Sequence, residues 1–403
     1  MTTTFEVDIS GRRAGHLIRA NNGRIVYQPL PDFAADPEAP TLGQQFLDAP
    51  FAERVGSRVG GLPAFFVNLL PQGAYRTLLQ DQHQPDDDLA LLGILGADLP
   101  GALTVRPAAT ARAIDAPDPP PTAAPPQDAL RIKASLAGMQ PKFSMSRSDR
   151  GFTLLAEGLD GDWIVKLPGR LPRAPEVEQA TMTWARAAGL VVPETELVPL
   201  SRLEGIPPQP DPADRLAFAI RRFDRPRPGH RIHQEDFAQV FDIRPEEVVS
   251  LNPPKNTNRS HLAQARLIAA LCPEDFDAYL RWLIFVVLSG NSDAHHKNLS
   301  LWYPDGRRAR LAPSYDLLSQ IVWPQFTASL ELHILGSYAF EAVDTTRLLA
   351  LCRKAGHHRE EAPIRALVAE IRDAWASVQA DLPLRAAERA AIAAHLERSP
   401  LRG

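Results

Sequence analysis

The run Gly290-Asn291-Ser292-Asp293-Ala294-His295-His296-Lys297-Asn298, followed by Ala312-Pro313-Ser314-Tyr315-Asp316, groups side-chain types that phosphoryl transfer requires. That chemistry calls for a carboxylate to take the attacking hydroxyl's proton, an amide oxygen five positions later for Mg²⁺, and a second carboxylate downstream for the same metal site. Asp293, Asn298 and Asp316 supply these in that order. Charge leads to the same residue types: the anionic oxygens of a γ-phosphate under attack are neutralised by Mg²⁺, which selects carboxylate and carbonyl oxygen over thiolate or imidazole. The plainer alternative is that Asn291 and Asp293 shape a turn after a helix, as Asx residues near Gly often do, and the D-x-x-x-x-N spacing alone leaves both readings open.

Residues far upstream bear on that choice. Gly161-Asp162-Trp163-Ile164-Val165-Lys166-Leu167-Pro168 reads as a turn, a short apolar strand carrying one lysine, and a proline stop. A lysine in an apolar strand is costly unless its ammonium reaches water or an anion, and nucleotide phosphates are one such anion. Pro175 to Gly189 reads as a helix with Pro at its start and Gly at its end. Glu178 lies in its first turns, where it could hold Lys166 as the strand-lysine to helix-glutamate pair of a kinase does. Singly, Lys166 also reads as a snorkelling edge-strand lysine and Glu178 as a helix-dipole glutamate. In chain order with Asp293, Asn298 and Asp316, they favour the phosphate site. A small-residue turn, Ala137-Gly138, flanked by Lys133 and Lys142, offers backbone N–H groups and positive charge to phosphates, with an ordinary hairpin as its default reading.

These residues need elements to hold them. The apolar run Tyr279 to Leu288 reads as a buried helix stopping at Ser289-Gly290, which puts the acidic cluster on a loop anchored by the core. Further helices are expected over Ser260 to Cys272, Pro273 to Ser289, Thr345 to Lys354, Pro363 to Gln379 and Pro383 to Glu397. Near the start, Phe5 to Ile9 and Gly23 to Tyr27 alternate like strands of a small meander, with short helices around Leu62 to Leu70 and Asp86 to Leu95. Pro107 to Gln127 is too rich in proline for a helix or central strand and reads as an extended connector. The expected fold is α+β, bilobal and protein-kinase-like. It divides into a small mixed N-terminal subdomain (1–106), a Pro/Ala-rich linker (107–128), a strand-containing nucleotide-binding lobe (129–228) and an all-helical C-terminal lobe (229–403) with the catalytic loop. A nucleotide cleft is expected between the lobes, near Phe223.

Composition bounds the rest. The 403 residues are 44% hydrophobic, enough for more than one core, and 44 Lys+Arg against 48 Asp+Glu give a net charge of −4. Nothing in that balance draws the chain toward nucleic acid or an anionic membrane. Cys272 and Cys352, 80 positions apart, read as free thiols of a reducing cytoplasm. With no signal-peptide pattern and no apolar run long enough to span a bilayer, a cytoplasmic location is expected. His295 and His296 beside Asp293 and Asp316 also suggest a hydrolytic zinc site, but adjacent histidines on an extended loop point to different sides.

Several blocks together resemble one family, the HipA-like serine/threonine kinases, toxin halves of bacterial type II toxin–antitoxin pairs. They are Phe66-Val67-Asn68-Leu69-Leu70-Pro71-Gln72-Gly73, Ser135-Leu136-Ala137-Gly138-Met139-Gln140-Pro141-Lys142, Trp163 to Pro168, Arg222-Phe223-Asp224-Arg225, His233-Gln234-Glu235-Asp236-Phe237, Gly290 to Asn298, and Leu311 to Asp316. The resemblance implies ATP and Mg²⁺ as cofactors, with Asp293 as catalytic base, Asn298 and Asp316 as metal ligands, and Lys166 as the phosphate lysine paired with Glu178. It also implies a phosphate loop of Ala137, Gly138, Met139, Gln140, Pro141 and Lys142, with His295 and Tyr315 beside the nucleotide. Backbone around Arg222 and Phe223 would meet the adenine, with Gln234 nearby. Ser135 matches a serine that such kinases autophosphorylate to switch themselves off. Arg221 stands where an acidic residue is common, and Pro141 departs similarly and would stiffen the loop. The implied partners are a protein substrate, with an aminoacyl-tRNA synthetase as a candidate, and a HipB-like helix-turn-helix antitoxin through which DNA is met only indirectly. A small-molecule kinase and a nucleotide-binding corepressor acting with a DNA-binding antitoxin are the competing readings.

Overall fold

The computed structural model describes residues 3–109, 141–149, 151–154, 161–206, 215–248, 259–326 and 329–402. Ser135, Ala137, Gly138, Met139, Gln140 and most of the proline-rich connector lie outside them.

Alternating apolar residues build the first sheet. Strands β1 (Thr4–Ile9), β2 (Arg12–Arg19), β3 (Arg24–Pro29), β4 (Arg54–Val59) and β5 (Leu103–Pro107) form an antiparallel sheet in the order β4-β3-β2-β1-β5. It buries Val7, Ile9, Leu17 and Ile25 against the short helices Ala64–Val67 and Asp88–Leu95. The second sheet comprises β6 (Lys142–Ser148), β7 (Gly151–Leu154), β8 (Trp163–Lys166), β9 (Thr195–Pro199), β10 (Leu203–Glu204) and β11 (Leu216–Arg221), in the order β10-β7-β6-β8-β11-β9. The lysine strand β8 is therefore interior, flanked antiparallel by β6 and β11.

One helix joins the two halves of the nucleotide-lobe region to the rest. Ala174–Ala187 carries Pro175 in its first turn, as expected, and turns Val177, Trp184 and Ala185 inward. Trp184 packs at 4.8 Å from Phe285 and 4.9 Å from Trp375, so this helix shares the large core of the C-terminal helices His261–Leu271, Phe276–Ser289, Glu361–Val378 and Ala386–Arg398.

The bilobal α+β class stands, but the expectation of an all-helical C-terminal lobe does not. Strands β12 (His233–Asp236), β13 (Ser300–Tyr303) and β14 (Arg310–Leu311) form an antiparallel sheet, and β15 (Ser329–Ile334) pairs with β16 (Ser337–Ala339). The physical reason is range: β12 and β13 are four residues of local signal each and become strands only by pairing across more than sixty residues of chain. Among the described residues, no helix is long and apolar enough to cross a membrane. Cys272 and Cys352 are buried free thiols.

Candidate active site

Lys166 and Glu178 meet because β8 ends where the helix Ala174–Ala187 begins its second turn. The Lys166 ammonium donates to Glu178 Oε1 at 2.5 Å and also to Asp316 Oδ1, which arrives from the C-terminal lobe. Lys142 stands directly opposite Lys166 in the β6–β8 register, on the same face of the sheet. Burial alone would discharge Lys166, but the Asp316 and Glu178 carboxylates outweigh it and hold its pKa up. Burial likewise works against an ionised Asp316, yet Lys166 and Lys142 keep its carboxyl well below the usual carboxylate range. Glu178, 2% exposed, is pushed up by burial despite Lys166. Lys142 is exposed. Its pKa is lowered by desolvation and by Lys166 and Lys297 nearby, against the pull of Asp316. Two cations of one sheet thus converge on a carboxylate of the other lobe, a local field suited to anionic phosphate oxygens.

Asp316 itself has φ 56°, the left-handed region that a non-glycine residue occupies at a cost. The segment is held in place on both sides. Tyr315 OH donates to the Lys297 carbonyl at 2.9 Å and shares a 2.6 Å hydrogen bond with Ser300 Oγ, and Ser319 N donates to Thr181 Oγ1 at 3.1 Å on the glutamate helix.

The catalytic-loop candidates start where Phe276–Ser289 ends, at Gly290 with φ 64°. Asp293 N donates to Asn291 Oδ1 at 3.1 Å, so the turn-shaping role of Asn291 exists alongside whatever Asp293 does. Asn298 Nδ2 donates to the Asp293 carbonyl at 2.9 Å, which ties the two residues and leaves the Asn298 amide oxygen as its acceptor. His295 is buried with no hydrogen-bond partner on either ring nitrogen among the described residues, and burial lowers its pKa to about 4, so the ring is neutral. His296 points elsewhere, toward Gln264 Nε2 at 3.3 Å. Among the described residues there is no cluster of three or more His, Cys, Asp or Glu placed to hold a metal ion.

The segment after β11 joins the lobes. Arg222 N donates to Asp162 O at 2.8 Å and its carbonyl accepts from Arg225 N at 3.2 Å, whereas Phe223 has no backbone hydrogen bond among the described residues. The Phe223 ring stacks on Tyr315 at 5.8 Å and meets Trp302 edge-on at 6.1 Å. The Arg222 guanidinium is buried and pairs with Asp98 at 2.5 Å and Asp224 at 3.0 Å. Burial opposes the charge on Asp224, but Arg222 and Arg225 bring its pKa down to about 2. Gln234 Nε2 reaches the same Asp224 carboxylate at 3.4 Å. Pro141 accepts from Leu167 N at 2.8 Å, so the chain entering β6 is tied to β8.

The sequence reading left several of these contributors unassigned. Asp98, Asp224, Asp236 and Asn68 surround the site, and Lys297 lies inside the opening run without a role given to it. Asn68, Asp224, Asp236 and Lys297 lie within the blocks that carry the family resemblance, whereas Asp98 lies outside them and has no local signal.

A two-lobed fold with a lysine strand, a glutamate helix and acid-bearing loops at the joint is protein-kinase-like. The family model described as the HipA-like C-terminal domain matches residues 134–378, and the HipA N-terminal domain matches residues 5–106. A Sinorhizobium fredii protein named as a kinase is 35% identical, with 95% of this chain and 94% of that protein covered. A Shewanella oneidensis protein named serine/threonine-protein kinase toxin HipA is 28% identical over 50% of this chain and 47% of its own length. The solved complex of Shewanella oneidensis HipA with HipB and operator DNA aligns with a TM-score of 0.74 at 21% identity, covering 98% of this chain and 96% of that one, and shows the shared fold. The chain belongs to the HipA family.

Proposed function

We propose that the chain is an ATP- and Mg²⁺-dependent kinase that transfers the γ-phosphate to serine or threonine of a protein, as a growth-inhibiting toxin restrained by a HipB-like antitoxin. The observation that carries this is the Lys166 ammonium bridging Glu178 and Asp316 across the two lobes, beside a loop in which Asn298 is tied to Asp293. Lys166 and Lys142 attract and orient phosphate oxygens, and the neutral His295, without a hydrogen-bond partner among the described residues, and the Phe223 backbone offer contacts to the rest of the nucleotide. Asp316 and the Asn298 amide oxygen are hard oxygen donors, few enough that substrate phosphates complete the shell, which is the donor set Mg²⁺ prefers. Asp316 and the Asn298 amide oxygen would hold Mg²⁺, which would supply positive charge to offset the charge of the phosphate under attack. Asp293 takes the proton of the attacking hydroxyl. The division into 1–106, a 107–128 linker, 129–228 and 229–403 belongs to the same proposal.

Finer elements of the reading are the same proposal. Ser135 is its autophosphorylation site, where roughly −1.5 to −2 of added charge beside the phosphate loop repels ATP. An aminoacyl-tRNA synthetase is its candidate substrate, and operator DNA is reached only through the antitoxin, as the partners named for the Shewanella complex suggest.

Incubation with labelled ATP tests it. Asp293→Ala and Asp316→Ala, folded by circular dichroism, should each lose phosphate incorporation by roughly 10²-fold or more. Native-rate labelling of Ser135 or of a protein substrate by either variant would sink the assignment of roles. Label recovered only on small molecules favours a small-molecule kinase, and absence of turnover a nucleotide-binding corepressor.

A further inference from the structure

Among the described residues, Asn68 links the N-terminal subdomain to the loop between Gly290 and Asn298. Asn68 closes the short helix Ala64–Val67, and its carboxamide nitrogen donates to Ala64 O at 2.9 Å and to Ile243 O at 2.8 Å. Both of its oxygens face the other way. Lys297 Nζ donates to Asn68 O at 3.0 Å, to Asn68 Oδ1 at 2.9 Å and to Asp236 Oδ2 at 2.9 Å.

An ammonium has three donors, and these acceptors use all of them. Lys297 is therefore not a phosphate ligand in this arrangement, although it lies one residue before Asn298 and four after Asp293. Its acceptors are themselves fixed. Asp236 caps the helix Phe237–Val240 with its other oxygen, accepting from Gln239 N at 2.8 Å, and Gln239 Nε2 donates to Phe65 O at 3.2 Å. The Lys297 side chain is 17% exposed and that of Asp236 13%, so these charge-assisted bonds are largely shielded from water. On its main-chain side the Lys297 carbonyl accepts from Tyr315 OH at 2.9 Å, next to Asp316. One run of hydrogen bonds thus passes from the N-terminal subdomain through the loop to the segment bearing the second acid. The loop's only regular structure is a single 3₁₀ turn, His296–Asn298, so its geometry depends on such tethers.

We propose that Asn68 and Lys297 are positioning residues: the N-terminal subdomain, through Asn68, braces the loop that carries Asp293 and Asn298 and so sets the geometry of phosphoryl transfer without touching substrate. The catalytic consequence rests on the kinase reading; the brace itself does not. A misplacement of about 1 Å in reacting groups can cost about 10²-fold in rate, which makes such a tether worth keeping.

The test uses the full-length protein with Lys297→Met, which keeps the stem and removes all three donors, with Asn68→Ala, and with Lys297→Arg as the conservative variant. Hydrogen exchange in residues 291–298 should quicken about tenfold in Lys297→Met and Asn68→Ala, while the helix Phe276–Ser289 keeps its wild-type protection. Phosphate transfer should lose kcat by about 10- to 100-fold with KM for ATP changed less than about threefold, and Lys297→Arg should retain more kcat than Lys297→Met. Unchanged exchange in 291–298 overturns the brace whatever the activity. Protection lost equally along the whole chain also overturns it, because the contact then holds the fold and not the loop, and so does a loss residing in ATP affinity alone. If the wild type transfers no phosphate, the kinase reading fails, while the exchange result still decides the brace.

Discussion

At the scale of single residues, the pairing of Lys166 with Glu178 sets the terms for its neighbours. Glu178 is buried, and Lys166, 2.5 Å away, offsets only part of the cost of its charge. Removing one partner of a buried pair costs about 3–5 kcal/mol when the survivor stays charged, but a carboxylate can escape by taking a proton. Lys166→Met should therefore lower stability by about 3 kcal/mol at pH 8 and by clearly less at pH 5.5. The sign follows from linkage: without Lys166 the folded pKa of Glu178 stands further above its unfolded value of 4.5, so the folded state holds the extra proton and loses stability as pH rises. Urea unfolding at the two pH values checks this, and a deficit independent of pH would refute the buried-charge account. The variant should also lose ATP turnover, since Asp316 loses its cation.

At the scale of elements, the critical junction is the end of Phe276–Ser289. Asn291 N donates to Val286 O at 3.1 Å around a left-handed Gly290, the usual glycine helix stop, and a Cβ added there would lie 2.6 Å from Ile321 Cγ2. Gly290→Ala should cost about 1–3 kcal/mol and displace the loop that follows, with loss of phosphate incorporation. Gly306→Ala is the control: it has φ 82° but nothing within 4 Å of an added Cβ, so it bears only the backbone term. Equal denaturation midpoints for the two variants would show that the Ile321 contact does not matter. This junction was legible in sequence, because the run Tyr279 to Leu288, apolar except for Arg281, followed by Ser-Gly encodes both a buried helix and its end. The strands β12, β13 and β14 were not legible, because β12 and β13 are short and pair with each other far along the chain, and β14 is only the two residues Arg310–Leu311.

At the scale of the whole molecule, the N-terminal subdomain docks on β12 and β13 through buried polar groups. His233 Nε2 bonds Leu42 O at 2.9 Å, and Glu235 accepts from Gln44 N at 2.9 Å and from Tyr303 OH. Burial lowers the His233 pKa from 6.5 to about 4 and raises that of Glu235 from 4.5 to about 7. The two act in opposite directions. Between pH 4 and 6.5 the unfolded chain binds the His233 proton and the folded chain does not, so this residue's stabilisation is full above pH 6.5 and is lost as pH falls. His233→Gln, which keeps a donor for Leu42, should remove that term. The stability difference between wild type and variant should then change by about 1.4 kcal/mol per pH unit between pH 4.5 and 6 and level off above 7. A difference constant across this range in chemical denaturation would mean that His233 titrates normally in the folded protein.

The sequence by itself determined the chemistry on offer and its order along the chain: Lys166 on a strand, Glu178 on a helix begun by proline, and Asp293, Asn298 and Asp316 on loops after a core helix. Side-chain type, apolar periodicity and the Gly and Pro stops are written within a few residues, so they can be read locally. Tertiary structure decided what local signals cannot carry. It decided that the glutamate helix shares the core of the C-terminal helices, that the Arg222 side chain clamps Asp98 and Asp224, and that the lobe after 229 contains sheets. Only the fold brings Asp316 to Lys166 across 150 positions, or Lys297 to Asn68 across 229. Such contacts form when separately encoded elements pack, and packing satisfies buried charges with whichever partner the fold delivers.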